Sequence, residues 1–198
     1  MTSKTRIHLI RHGEVEGSNR YNGHRDVNLT EKGVEQYHLL KHKLDPDCIT
    51  ACYTSDLIRT VRGGKILGPY LGVEPVPLKA LRELNIGAWE GMSAAEIQAS
   101  RPEEWQARCA DPVGFRVPGG ESVGDLAARV LPAFREIVER HRGEEVLVVA
   151  HGGVNRVILS DALGAPLAKL FNIEQNYCCL NVVDCYADGN HVVKLVNG

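Results

Sequence analysis

Short apolar runs alternate with amphipathic stretches along the chain, and this alternation predicts strands separated by helices. The run at 146–150, VLVVA, has no polar alternation, which is typical of a strand buried on both faces of a parallel sheet. The turn sequence Asp188-Gly189-Asn190 predicts that the last two runs form a hairpin. The predicted strands lie near 6–10, 48–53, 146–150, 178–186 and 191–196.

Capping residues predict three shorter helices. In each, a serine or threonine stands just before a helical pattern, and in two of them a glutamate follows three residues later. The predicted helices span 31–43 after Thr30, 93–99 with Ser93 and Glu96, and Ser100 to about Cys109 with Pro102 and Glu103.

The longest predicted helix runs from Ser122 to about His141. Pro132 lies inside it and should kink or break it, because proline has no N–H to donate and its ring clashes with the preceding turn. Apolar residues recur there at three- and four-residue spacing, at Val123, Leu126, Ala127, Val130, Leu131, Phe134, Ile137 and Val138.

This order of elements predicts an α/β fold, namely a three-layer α/β/α sandwich with a mostly parallel central sheet. The 198 residues contain no repeat and no linker-like stretch, so we expect a single domain over 1–198. The segment 86–120 ends in glycine and proline and is predicted to form a small helical lid that sets specificity.

Composition and net charge limit the classes of binding partner that we expect. A net charge of −2 gives no reason to expect nucleic acid or an anionic membrane surface. The apolar runs are too short for a signal peptide or a membrane span, so we expect a cytoplasmic protein. The six cysteines form no C-x-x-C pair, and we expect them to be reduced, with no metal site and no cofactor.

The ends of the predicted strands carry an unusual set of side chains. Two apolar strands end in histidine-glycine, at His12 and at His151. Arg59 falls in the first turn of the helix after the 48–53 strand, and Glu83 follows the next apolar run. Ligands of α/β sheets gather at the carboxyl ends of the strands, so these four side chains are expected to converge there.

These residues belong to six blocks through which the chain resembles the histidine phosphatase superfamily, which includes the cofactor-dependent phosphoglycerate mutases. The blocks follow the family's order and approximate spacing, and they cover essentially the whole chain. They are RHGE at 11–14, NGHRDVNLTEKG at 22–33, SDLIRT at 55–60, RELNIGAWEG at 82–91, PGGES at 118–122 and VAHGG at 149–153.

The resemblance implies that His12 is a nucleophile that becomes phosphorylated. Arg11, Arg59 and His151 would hold the phosphoryl oxygens, and Glu83 would act as general acid and then general base. The chemistry suits these residue types, because neutral imidazole can approach a phosphate dianion and guanidinium groups match its oxygens.

The chain also departs from the family pattern. Ser18, with Asn19 beside it, stands where many relatives have a tryptophan-asparagine pair, so either residue is a candidate phosphate contact, with Ser18 preferred on alignment. Gly152 occupies a position where some acid phosphatases have aspartate, so the acid role falls to Glu83. The further candidate phosphate or substrate contacts are Gly23, His24, Arg62 and Gly152.

Three hypotheses follow from the sequence. The first is a metal-independent phosphomonoester phosphatase for a small phosphorylated metabolite. That substrate is either α-ribazole 5′-phosphate, because 172–184 is similar to α-ribazole phosphatases, or one of a broad range. The second is a phosphoglycerate mutase, although the chain lacks the longer basic insertion that mutases use. The third is a non-catalytic module that binds a phosphorylated ligand. A homodimer through the terminal hairpin stays open.

Overall fold

The computed structural model describes residues 4–198 and contains a six-stranded mixed sheet in the order β3-β2-β4-β1-β5-β6. Strands β3, β2, β4 and β1 pair in parallel, β5 is antiparallel to β1, and β6 is antiparallel to β5. The prediction of a mostly parallel sheet is confirmed. The strands are β1 (Lys4–Arg11), β2 (Ile49–Thr54), β3 (Pro75–Pro77), β4 (Glu145–Ala150), β5 (Leu180–Tyr186) and β6 (His191–Leu195).

Residues 4–198 contain six α-helices, and the four that the sequence delimits are all present. No helix in the described part of the chain is long and apolar enough to cross a membrane. The helices are α1 (Glu31–Leu40), α2 (Ile58–Leu71), α3 (Ala94–Ser100), α4 (Pro102–Ala110), α5 (Val123–Arg140) and α6 (Gly152–Ala162).

Hydrogen bonds of the capping residues confirm most of the predicted helix starts. The Thr30 side chain accepts a hydrogen bond from the N–H of Gly33, and Ser93 forms a capping box with Glu96. The prediction for Ser100 is wrong, because this residue ends α3 and its hydroxyl donates to the carbonyl of Glu96.

Two other predictions need correction. Helix α5 is continuous through Pro132, so the predicted break does not occur; the buried apolar side of α5 compensates for the missing hydrogen bond through packing. The strand predicted over 178–186 begins only at Leu180, because Cys178 adopts a left-handed backbone conformation with φ of 54°. All six cysteines carry free thiols.

The sheet lies between two helical layers, as predicted. In β4, Val146, Val148 and Ala150 pack in the same core as α5 and α6, whereas Leu147 and Val149 pack with α1 and α2. Successive side chains of a strand point to opposite faces. The continuous apolar run of β4 is therefore explained by helices on both sides.

The central pair of strands determines where the two strand-end histidines lie. Strands β1 and β4 are parallel neighbours, and Arg11 is paired with Ala150 at the last position of the register. The next residues are His12 and His151, and the N–H of His12 donates to the carbonyl of Ala150 over 3.0 Å. Both histidines therefore leave the sheet at the same edge.

The segment 86–120 forms a third, smaller cluster over this edge. It contains α3 and α4, and its buried apolar residues are Ile86, Trp89, Ile97 and Val117. Trp89 is only 1% exposed, and its indole N–H donates to the Glu104 carboxylate over 2.7 Å.

The close packing of α2 against α1 and the sheet depends on two glycines of α2, Gly63 and Gly64. A methyl group at Gly63 would overlap the phenol ring of Tyr37, which is fully buried in the core. Gly64 similarly admits the side chains of Thr54 and Pro75. The two glycines therefore let α2 lie close to α1 and to the sheet.

We expect Gly63→Ala to lower the free energy of unfolding by about 1–3 kcal/mol, because the added methyl group overpacks a site that cannot expand. The matched control is Gly124→Ala at the start of α5, where the nearest atom to the new methyl group is 3.5 Å away. That variant should be neutral or stabilising by roughly 0.4–1 kcal/mol. Urea unfolding measures the free energy of unfolding of both variants. Equal changes in the two variants would refute the packing argument.

Candidate active site

His12 follows β1 directly and is 6% exposed. Its Nδ1 lies 2.8 Å from the carbonyl oxygen of Gly13, which can only accept a hydrogen bond, so Nδ1 carries the proton. Burial and the charges of Arg59 and Arg11 lower the pKa of His12 well below 6.5. The imidazole is therefore neutral, with the lone pair of Nε2 free to act as a nucleophile.

His151 follows β4 directly and is the N-cap residue of α6. Its Nδ1 accepts a hydrogen bond from Arg59 Nε over 3.3 Å, and its Nε2 lies 2.7 Å from the hydroxyl of Ser55. Because Nδ1 accepts, Nε2 must carry the proton and donate to Ser55. The hydroxyl of Ser55 in turn contacts Thr60 over 2.7 Å, and Thr60 donates to backbone carbonyls.

The two imidazoles form one buried pair. The ring centroids of His12 and His151 are 5.2 Å apart in an edge-to-face arrangement. Burial and the charges of Arg59 and Arg11 also lower the pKa of His151 well below 6.5. A phosphate dianion placed between these groups would reverse that effect by favouring the protonated form of His151.

Arg59 lies in the first turn of α2 and is fully buried. Its guanidinium donates to the backbone carbonyls of Arg25, Asn22 and Gly23, over 2.9, 3.2 and 2.7 Å. These contacts hold a positive charge rigidly in the site. Gly23 thus helps to position Arg59, and a side chain there would overlap the carbonyl of Leu84.

Arg11 is the second guanidinium of the site. Its Nη1 donates to the carbonyl of Gln175 over 2.6 Å, and its guanidinium carbon lies 4.1 Å from the centre of the Tyr177 ring. The Nε of Arg11 is buried and has no hydrogen-bond partner within residues 4–198. That N–H is therefore available to an anionic ligand.

The carboxylate of Glu83 is held by two backbone N–H groups. Its Oε2 accepts from Gly153 over 3.0 Å and its Oε1 accepts from Leu84 over 2.8 Å. A methyl group at Gly153 would overlap this carboxylate, so a larger residue there would displace Glu83 from its position. Helix α6 therefore brings Glu83 to the edge that carries His151.

The backbone that carries Glu83 is clamped by Arg129 of α5. This guanidinium donates to the carbonyls of Ala80, Arg82 and Glu83 over 2.7–2.9 Å, and it pairs with Glu121. His24 also reaches the carbonyl of Glu83, with its Nε2 at 3.0 Å. His24 thus contacts the main chain of Glu83 and does not line the cavity within the described residues.

A cavity of about 220 Å³ lies beneath the 86–120 segment, and His12, Arg11 and Glu83 line it. Arg59 and His151 lie behind this lining and are not part of it within residues 4–198. Ser18 also lines it, whereas Asn19 is outside the lining within residues 4–198; both residues are exposed. Gly152 opens α6, and its backbone lies beside Arg156 and Arg11.

The structure places Arg62 elsewhere than expected. Its guanidinium donates to the side-chain oxygen of Asn28, and it is outside the cavity lining within the part of the chain that is described. Arg62 is one turn beyond Arg59 on α2, and the hydrogen bond to Asn28 holds it away from the histidines.

Three residues that the sequence did not single out also line the cavity, namely Arg108, Arg156 and Tyr177. Tyr177 stacks on Arg11 and its ring centre is 5.7 Å from that of His12. Helical spacing offers a signal for Arg156, which lies one turn after Gly152 on α6. The other two have no such signal, because they reach the site from separate segments.

Within residues 4–198, no group of three or more histidine, cysteine, aspartate or glutamate side chains is placed to hold a metal ion. The charges that act most strongly on His12 are the guanidinium groups of Arg59 and Arg11. This arrangement suits an anion with several oxygens.

The fold and the site together define an α/β protein with a buried histidine pair and two arginines at the carboxyl edge of its sheet. The sequence model described as histidine phosphatase superfamily (branch 1) matches residues 7–198. The chain belongs to this superfamily. A curated relative from Yersinia pestis, a probable phosphoglycerate mutase, is 34% identical over 183 residues, which cover 90% of this chain and 84% of that protein.

Solved structures agree with this assignment. A mycobacterial glucosyl-3-phosphoglycerate phosphatase solved with VO3 is 26% identical with a TM-score of 0.86, and 98% of each chain is covered. The α-ribazole phosphatase of Shigella flexneri is 23% identical with a TM-score of 0.88, over 98% of this chain and 96% of that one. The similarity to the α-ribazole phosphatase shows only that the two proteins have the same fold.

The lowered pKa values of His12 and His151 predict how stability depends on pH. Below pH 6.5 the unfolded chain binds protons at these histidines that the folded chain does not bind, so the free energy of unfolding falls as the pH falls. We expect a slope of up to about 1.4 kcal/mol per pH unit for each histidine between pH 6.5 and 5.5. Urea unfolding of the wild type and His12→Asn measures it, and equal slopes would contradict it.

Proposed function

We propose that the protein is a phosphomonoester hydrolase that acts on a small phosphorylated metabolite through a phosphohistidine on His12 and needs no metal ion. The observation that supports this most directly is the state of His12. It is neutral, its Nδ1 proton is committed to Gly13, and its Nε2 is free beside Arg11 and Arg59.

In the first step, the phosphoryl group is bound with its oxygens near Arg11, Arg59 and His151. His12 Nε2 attacks phosphorus, a P–N bond forms, and the P–O bond to the leaving group breaks. Glu83 acts as the general acid and gives a proton to the leaving oxygen. The fixed guanidinium charges stabilise the negative charge that spreads over the phosphoryl oxygens in the transition state.

In the second step, water takes the place of the leaving group. Glu83, now a carboxylate, accepts a proton from this water as its oxygen attacks phosphorus. The P–N bond breaks, His12 regains its neutral form, and inorganic phosphate is released. One carboxylate therefore serves both steps, which is consistent with its position being held by two backbone N–H groups.

Hydrolysis is favoured over phosphoryl transfer by the similarity to a phosphatase that matches almost the whole chain. The cavity of about 220 Å³ suits a small metabolite. The likeness to α-ribazole phosphatases at 23% identity carries no argument for the substrate. Both α-ribazole 5′-phosphate and a broad range of phosphomonoesters therefore remain candidates.

The second candidate function is a phosphoglycerate mutase, which the name of the curated relatives favours. A mutase would use the same His12, but it would need a bisphosphate to phosphorylate this residue first and would return the phosphoryl group to the sugar acid. Incubation with 3-phosphoglycerate and its bisphosphate distinguishes the two: a mutase isomerises the substrate, whereas the proposed hydrolase releases phosphate.

We expect His12→Ala to abolish phosphate release and Glu83→Gln to slow it by about 10²–10⁴-fold for alkyl phosphates, because the leaving alkoxide needs a proton. Aryl phosphates with good leaving groups should be slowed much less by Glu83→Gln. Phosphate release measured in chelator tests both. Retention of most activity by His12→Ala would refute the nucleophile, and equal slowing of both substrate types would remove Glu83 as the acid.

A further inference from the structure

Two further arginines, Arg108 of α4 and Arg156 of α6, line the wall of the cavity. Their guanidinium carbons lie 5.0 and 5.8 Å from the centre of the Phe171 ring. Phe171 is 50% exposed, so this ring forms part of the rim. Two guanidinium groups from different helices thus lie near the same aromatic ring.

Arg108 differs from the other arginines of the cavity because the protein does not provide it with an acceptor. Within residues 4–198 it makes no ion pair, and its guanidinium makes no hydrogen bond. By contrast, Arg156 Nε donates to the carbonyl of Ile173 over 2.7 Å, and Arg20 pairs with Glu96 over 2.9 Å. Burial lowers the pKa of Arg108, so its charge is partly removed from water.

The acidic side chains that line the cavity are engaged elsewhere. Glu121 forms an ion pair with Arg129 over 2.8 Å and accepts a hydrogen bond from the N–H of Asn85. Glu83 is held by the N–H groups of Leu84 and Gly153. The charge of Arg108 is therefore left for a ligand to neutralise.

The apolar surroundings of Arg108 would strengthen its contact with an anionic ligand. Apolar and aromatic side chains also line the cavity, among them Tyr21, Phe115 and Val117. A charge pair in an apolar wall is screened less than one on the surface. The ring of Phe171 also limits the orientations of the Arg108 guanidinium, which reduces the entropy lost when it binds a planar anion.

We propose that Arg108 is a specificity-determining residue that selects phosphomonoesters whose leaving group carries a second anionic group, either a carboxylate or a phosphate. This inference rests on the proposed hydrolase function. The reacting phosphoryl group would bind at His12, and the second anion would bind Arg108 beside Phe171. Neutral leaving groups would leave the Arg108 charge desolvated and unpaired, so they would bind less well.

The test uses pairs of substrates of the same size, one anionic and one neutral, and compares their ratio between enzymes so that intrinsic differences in reactivity cancel. The 3-carboxyphenyl and 4-carboxyphenyl phosphates are each compared with the carboxamide of the same size, and kcat/KM is measured for the four compounds. A 3-phosphonophenyl phosphate distinguishes a preference for a phosphate-like group from one for a carboxylate. The enzymes are the wild type, R108Q, R108K and R142Q.

We expect the ratio of carboxylate to carboxamide kcat/KM to fall by roughly tenfold to a hundredfold in R108Q, which corresponds to a lost hydrogen bond to a charged group. R108K should restore part of the ratio because it keeps the charge but not the planar fork. R142Q removes the same charge from an exposed residue that pairs with Glu139, and it should leave the ratio unchanged.

A ratio that is the same in the wild type and R108Q would overturn the inference, as would equal effects of R108Q and R142Q. If the wild type hydrolyses none of the compounds, the proposed function fails instead. In that case, calorimetric binding of 3-carboxybenzylphosphonate and its carboxamide to the wild type and R108Q still decides the role of Arg108. Loss of the carboxylate preference in R108Q supports it, and equal binding refutes it.

Discussion

The parallel pairing of β1 with β4 is the constraint on which the site depends. Their register ends at Arg11 opposite Ala150, so the residue after each strand emerges at the same edge. Strand β4 is buried on both faces by helices, which fixes this register through its apolar side chains. A shift of one residue would turn these side chains to the wrong layer and separate the two histidines.

The protein can bury the many polar side chains of the site because almost every one has a hydrogen-bond partner in the backbone. Arg59 is fully buried, and three carbonyls accept its hydrogen bonds. The histidines avoid the larger cost of a buried charge by remaining neutral. The site is thus preorganised for an anion: its donors are already oriented, and no large rearrangement is needed when negative charge develops.

The sequence predicted the part of the site that is carried by strand ends, because local patterns reveal where a buried strand stops. It placed His12, His151 and Arg59 at one edge for that reason. It could not reveal that Gly153 and Arg129 hold Glu83, since these contacts cross 70 and 46 residues of chain. Arg108 was missed for the same reason, and Ser100 was misjudged because a good cap sequence can also end the preceding helix.

In the proposed mechanism, His12 becomes covalently phosphorylated during turnover. Trapping this phosphohistidine is the most direct test of the mechanism. The enzyme is mixed with a fast aryl phosphate, quenched within one turnover in denaturant at alkaline pH, where phosphohistidine survives, and digested for mass spectrometry. The account predicts one added phosphoryl group on the peptide that contains His12, and none in His12→Ala. Rapid phosphate release with no phosphorylated His12, in a quench that preserves a phosphohistidine standard, would contradict it.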